Sequence, residues 1–107
     1  MSKIDRTVID DLKNIFEDIY KIFIREKEDN WIRGIKIILS HLQEAENDNP
    51  DLDKIYVNVR TSYRSMNSGQ GSFADFMIWK DDFDERAKVN QEFSVLANRA
   101  WEILEKY

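Results

Sequence analysis

The chain has 107 residues, 42% hydrophobic and 35% charged, and its 16 basic and 21 acidic side chains leave a formal charge of 16 − 21 = −5. That size and balance describe one folded domain spanning residues 1–107, and an acidic surface is repelled by phosphate backbones, which argues against nucleic-acid binding. With no cysteine present, disulfides, thiolate metal sites and cysteine nucleophiles are excluded.

One proline and three glycines give little turn punctuation, so a few long helices are expected in place of many short strands. No apolar run approaches the length of a membrane span, and the first residues, MSKIDRTVIDD, lack the apolar core of a secretory leader. The expected location is therefore cytoplasmic, with no membrane partner.

Apolar residues at Ile4, Val8, Leu12, Ile15, Phe16, Ile19, Ile22 and Phe23 recur every three or four positions and predict an amphipathic helix to about Arg25. Asp5 and Thr7 are its candidate caps, and Asp10 and Asp11 lie toward the positive end of the helix dipole. The polar stretch Glu26–Asn30 separates it from a second helix carrying Trp31, Ile35, Ile38, Leu39 and Leu42, with Asn30 as the expected cap. A kink is the competing reading there, because neither Pro nor Gly lies in residues 26–30.

Asn47-Asp48-Asn49-Pro50 is the clearest boundary, read as Asn49 capping a third helix with Pro50 in its first position. Leu52, Ile55, Tyr56, Val59, Tyr63 and Met66 form its apolar face, and it is expected to stop at Asn67-Ser68-Gly69. Ser72, three residues before Asp75, suggests a weak capping pair and a short helical turn from Phe73 to about Trp79. Phe76–Trp79 as a short strand is the alternative. An irregular acidic segment should follow, then a last helix from about Asn90 to Lys106 with Phe93, Leu96, Ala97, Ala100, Trp101 and Leu104 inward. The expected fold is all-α, a compact bundle of four main helices with an irregular Gly-rich and acidic connection between the third and the last.

Two regions stand out as candidate sites. Asp81, Asp82, Asp84 and Glu85 place four carboxylates within five residues, next to Trp79 and Phe83. An EF-hand loop needs a Gly turn and a terminal bidentate Glu that are missing here, so no metal is expected. A solvated or salt-bridged face is the ordinary reading of this run, and a protein-binding patch is the functional one. Arg60 and Arg64 share a helix face in the only locally basic stretch, since no acidic residue occurs from Lys54 to Ala74. With backbone amides at Gly69 and Gly71 in the 67–72 loop they could cradle an anion; pairing with Asp75 or the 81–85 carboxylates is the ordinary reading. The loop lacks the Lys and preceding strand of a phosphate-binding P-loop. His41 is the lone histidine and is read as a helix-face residue, while Ser62, Ser65, Ser68 and Ser72 have no nucleophile-elbow context. No catalytic residue, enzyme activity or cofactor is expected.

The block from Tyr63 to Arg86, with Tyr63-Arg64, Met66-Asn67, Gly69, Gly71-Ser72-Phe73, Asp75-Phe76, Ile78-Trp79 and Asp81–Arg86, resembles a pattern in a family of small uncharacterised bacterial proteins. It covers about a quarter of the chain. In size and charge the protein is also similar to immunity proteins of bacterial toxin systems, and that similarity implies a non-catalytic toxin inhibitor. The expected partner is then a basic cognate toxin domain, met by Trp79, Asp81, Asp82, Phe83, Asp84 and Glu85. A small anionic-ligand module at Arg60, Arg64, Gly69 and Gly71 is the alternative function.

Overall fold

The described backbone is mostly helical, in keeping with the scarcity of glycine and proline. A computed structural model describes residues 4–68 and 76–107. Helix α1 spans Arg6–Arg25, α2 spans Ile32–Gln43 and runs into a 3-10 turn at Glu44–Glu46, α3 spans Leu52–Met66, and α4 spans Phe83–Leu104. No strand occurs among the described residues. No described helix is long and apolar enough to cross a membrane.

Helix α1 is the spine of the bundle. Its face of Val8, Ile9, Leu12, Ile15, Phe16, Ile19, Ile22 and Phe23 is buried throughout, and α2 and α4 pack on either side of it. Helix α3 packs on α2. Large side chains bridge it to α4: the Tyr56 hydroxyl donates to the Ile103 carbonyl at 3.0 Å and the Tyr63 hydroxyl to Ala97 at 3.2 Å. Burial pushes the Tyr63 phenol well above its ordinary pKa, so it stays a donor there. Cross-pairs such as Arg6 with Ala45, Gly34 with Met66, Tyr56 with Ile103 and Arg25 with Glu92 make each neighbouring pair antiparallel. The result is an up-down-up-down bundle.

Each helix boundary has a chemical cause, and several differ from the sequence expectation. Asp5 caps α1 by accepting from the Val8 amide at 3.1 Å. The helix ends in a true break: Lys27 takes a left-handed conformation (φ 58°) while Glu28 N–H returns to Phe23 at 2.9 Å and Lys27 N–H to Ile24 at 3.3 Å. This is the Schellman arrangement with lysine where glycine is usual. Asn30 does not cap α2. Glu28 reaches forward and accepts from the amides of Asn30 (2.7 Å) and Trp31 (2.9 Å). Nor does Asn49 cap α3. Asn49 sits in the left-handed region (φ 51°), Pro50 precedes the helix, and Asp51 accepts from Lys54 N–H at 3.1 Å.

The largest shift concerns α4. It begins at Phe83, seven residues before the expected Asn90, because Asp82 accepts from the Glu85 amide at 2.9 Å. Asp84 and Glu85 thus lie in the first turn of a helix that Asp82 caps, where carboxylates suit the dipole. The residues before it, 76–80, form neither the short helical turn nor the short strand expected of them. The expected Phe73–Asp75 part of that turn, and the Ser72–Asp75 capping pair, lie outside the described residues.

Replacing a capping Asp by Ala removes about 0.5–2 kcal/mol. Asp51→Ala should lower stability by about 1 kcal/mol in urea denaturation. Asn49→Gly should leave stability unchanged or improve it, because glycine takes positive φ freely.

Candidate functional site

Residues 76–80, ahead of α4, lie outside regular secondary structure and alternate between covered and exposed side chains. Phe76 is half-buried and Ile78 is 4% exposed, whereas Met77 is 56% and Trp79 65% exposed. Phe76 packs edge-on against Phe23 of α1 (5.7 Å) and Phe93 of α4 (5.7 Å), and those two rings lie 5.6 Å apart. Each such pair adds about 0.5–1.5 kcal/mol beyond the area it buries.

Among the described residues no backbone group bonds to Ile78. Asn90, one helical turn beyond Arg86 on α4, supplies both partners. Its Oδ1 accepts from Ile78 N–H at 2.8 Å, while its Nδ2 donates to the Ile78 carbonyl at 2.7 Å and to the Arg86 carbonyl at 2.8 Å. A single side-chain amide acts here as an adjoining strand would. Lys80 then ties the segment to α1, its Nζ 2.8 Å from Glu26 Oε1. Arg25 Nε donates to the other oxygen of Glu26 at 2.8 Å and its Nη2 to Glu92 at 3.2 Å.

Glu26 occupies an uncongenial place, the carbonyl end of α1, where the dipole disfavours a negative charge. Its side chain is only 8% exposed. The hydrogen bonds from Lys80 and then Arg25 hold its carboxyl below the usual range, although burial pulls the other way. The cations win.

Met77, Trp79 and the first turn of α4 form one surface. Phe83 is 71% exposed. Arg86 lies one turn later, its guanidinium carbon 4.1 Å from the centroid of Trp79 and 5.4 Å from that of Phe83. The Trp79 indole N–H donates to Asp81 Oδ1 at 3.3 Å. Asp81, Asp82, Asp84 and Glu85 are all exposed. Asp82 spends one oxygen on its cap, and Asp84 makes no hydrogen bond or ion pair to a described residue. Exposed ion pairs contribute about 0.2–1 kcal/mol and exposed cation–π contacts about 0.5–1 kcal/mol. Neither outweighs the other by default, and Arg86 takes the rings: among the described residues no carboxylate lies within ion-pair distance of it. No group of three His, Cys, Asp or Glu among the described residues is arranged to hold a metal ion.

The six residues singled out in the sequence for partner contact, Trp79, Asp81, Asp82, Phe83, Asp84 and Glu85, are therefore contiguous and exposed. Met77 and Arg86 belong with them. Asp82-x-x-Glu85 was the signal for Arg86: read as a helix start, it places Phe83 and Arg86 three apart on one face. Nothing in the sequence marked Asn90 as the clamp on Ile78.

Arg60 and Arg64 are elsewhere and already engaged. Arg64 forms a forked pair with Glu105 at 3.0–3.2 Å, and Arg60 donates to the Tyr107 carbonyl at 3.2 Å while stacking 5.3 Å from the Tyr56 ring centre. Their described hydrogen-bond partners are thus at the end of α4 and beyond, rather than the 81–85 carboxylates. Gly69, Gly71 and Asp75 lie outside the described residues. His41 sits on α2 beside Glu44 at 3.4 Å.

No protein-family model, no curated protein and no solved structure matches the chain.

Two measurements check the support beneath this surface. Asn90→Ala leaves the amide and carbonyl of buried Ile78 unpaired and should lower stability by about 1–3 kcal/mol in urea denaturation, with faster hydrogen exchange at the Ile78 amide. Glu26 has a folded-state pKa below its unfolded value, so its contribution is complete above the ordinary carboxylate pKa of about 4.3 and is lost as pH falls through the lower folded value. Wild type should accordingly melt higher than Glu26→Gln at pH 7, with the two melting temperatures converging in acid.

Proposed function

We propose that the protein is a non-catalytic binding protein, an immunity protein that neutralises a cognate bacterial toxin domain in the cytosol by gripping it with the surface from Met77 to Arg86. The observation that carries this reading is the exposure of Trp79 and Phe83, at 65% and 71%, on a backbone clamped from both sides. Large aromatics fixed in this way lose little freedom on binding, and Trp and Arg are the residues that dominate interface energies. Their surroundings suit a basic partner. Asp81, Asp82, Asp84 and Glu85 concentrate negative potential at this surface of a chain whose net charge is −5, which favours fast encounter with a positive surface.

An acidic inhibitor suits a toxin whose own target is anionic, since the same basic surface would face both. Division of labour within the patch follows from the energetics. The rings supply holding energy and the carboxylates supply attraction at a distance. Arg60 and Arg64, matched by Glu105 and the Tyr107 carbonyl, lend the anion-module alternative no comparable support.

Mixing the protein with the toxin domain encoded beside it should give a stable complex and restore growth on co-expression. Trp79→Ala and Phe83→Ala should each weaken the complex by tenfold or more, mainly through faster dissociation, as truncation of a hot spot does. A double change of Asp81 and Asp84 to Asn should chiefly slow association and flatten its salt dependence. Absence of any complex, or unaltered affinity in both aromatic variants, refutes the reading.

A further inference from the structure

We infer that the Trp79–Phe83 pair is a docking site for a guanidinium group of the partner, and that Arg86 occupies this site in the free protein. The inference rests on the reading of this surface as a protein-binding face and names the chemistry of what enters it.

The first observation is the position of Arg86 itself. Its guanidinium lies over both rings, 4.1 Å and 5.4 Å from their centroids, and pairs with none of the described carboxylates although four of them fall within the five preceding residues. The two rings thus share one cation, and the cation is a guanidinium. Ring faces attract cations through their quadrupole, and a guanidinium stacks on them better than an ammonium because it is flat and weakly hydrated.

The second observation concerns charge. With Arg86 in place two of the surrounding carboxylates stay without a cation: Asp82 and Asp84 form no ion pair with a described residue, whereas Glu85 lies in the field of Lys80. An incoming arginine would meet both the rings and uncompensated acids. The displaced Arg86 would not be stranded. Its amide bonds the Asp82 carbonyl at 3.0 Å, so the two residues sit one turn apart, the spacing at which an acid and a base on one helix meet. Binding is therefore an exchange, in which one arginine leaves the rings for Asp82 and another takes its place.

The exchange makes Arg86 a built-in competitor, and removing it should tighten guanidinium binding. The probe is a capped Gly-Arg-Gly-Arg-Gly peptide, titrated at low salt into 15N-labelled full-length protein while the three indole N–H signals are followed. The peptide should shift the Trp79 signal and leave those of Trp31 and Trp101 in place, with its lysine counterpart weaker and its uncharged citrulline counterpart silent. Arg86→Ala should bind it about two- to fivefold more tightly than wild type. Arg86→Met, which keeps the packing of the stem, should behave the same way if Arg86→Ala perturbs the fold. Lys88→Ala makes an equal change in charge two residues away and should give a smaller gain, while Trp79→Ala should abolish the difference between Arg86 variants and their parents.

Equal tightening by the Arg86 and Lys88 changes would reduce the effect to bulk charge and overturn the inference, as would a Trp79 signal unmoved by the peptide. Loss of the toxin complex with this pattern intact would remove the immunity reading and keep the guanidinium site. A toxin complex that depends on Trp79 while Arg86 variants bind the peptide no better would do the reverse.

Discussion

Ile78 is buried in a segment that belongs to neither helix nor sheet, and buried backbone groups must find hydrogen-bond partners. Asn90 supplies both of them from α4. The presentation of the whole surface depends on that pairing. With Ile78 fixed inward, its neighbours Met77 and Trp79 have only the outward direction, and the Lys80–Glu26 contact fixes the exit of the chain toward α4. The aromatic triangle of Phe23, Phe76 and Phe93 then anchors the other side of Ile78 to two helices at once. A surface that would otherwise be a loop has in this way the rigidity of the bundle beneath it.

Electrostatics shape the same region on two scales. Close to the backbone, Asp82 closes the start of α4, and the positive end of its dipole tolerates Asp84 and Glu85 that would repel one another elsewhere. At the opposite polarity, Glu26 crowns the carbonyl end of α1 and is held there by two cations. One end of the bundle therefore carries both a well-placed and a badly placed acid, and the second is stabilised by Lys80 from the very segment that displays Trp79. Stability of the α1 terminus and geometry of the exposed rings are coupled through that single ammonium.

The bundle was legible in the sequence because its signal is periodic: the α1 stripe from Val8 to Phe23 and the α3 stripe from Ile55 to Tyr63 point inward as their spacing requires. Caps were less legible, because several residues compete for one task. Asp5 was among the candidates, whereas Glu28 and Asp51 took roles assigned to Asn30 and Asn49. The start of α4 is hard to place from sequence, since charged residues read as loop unless Asp82 and Glu85 are seen as a cap and its partner. At the site, the exposed acids and rings could be named from composition alone. Asn90 could not, for its role depends on a contact twelve residues away that no local pattern encodes.

The in-and-out alternation from Phe76 to Trp79 has a consequence for how this stretch can vary over time. Letters at its outward positions are free to drift, and doing so would retune what the protein recognises without disturbing its core. Length is another matter. Adding or deleting one residue between the aromatic anchor and the helix that follows would swap inner for outer faces, sinking the indole and expelling an isoleucine. Diversification of such a protein against changing targets should accordingly proceed by substitution within a segment of constant length.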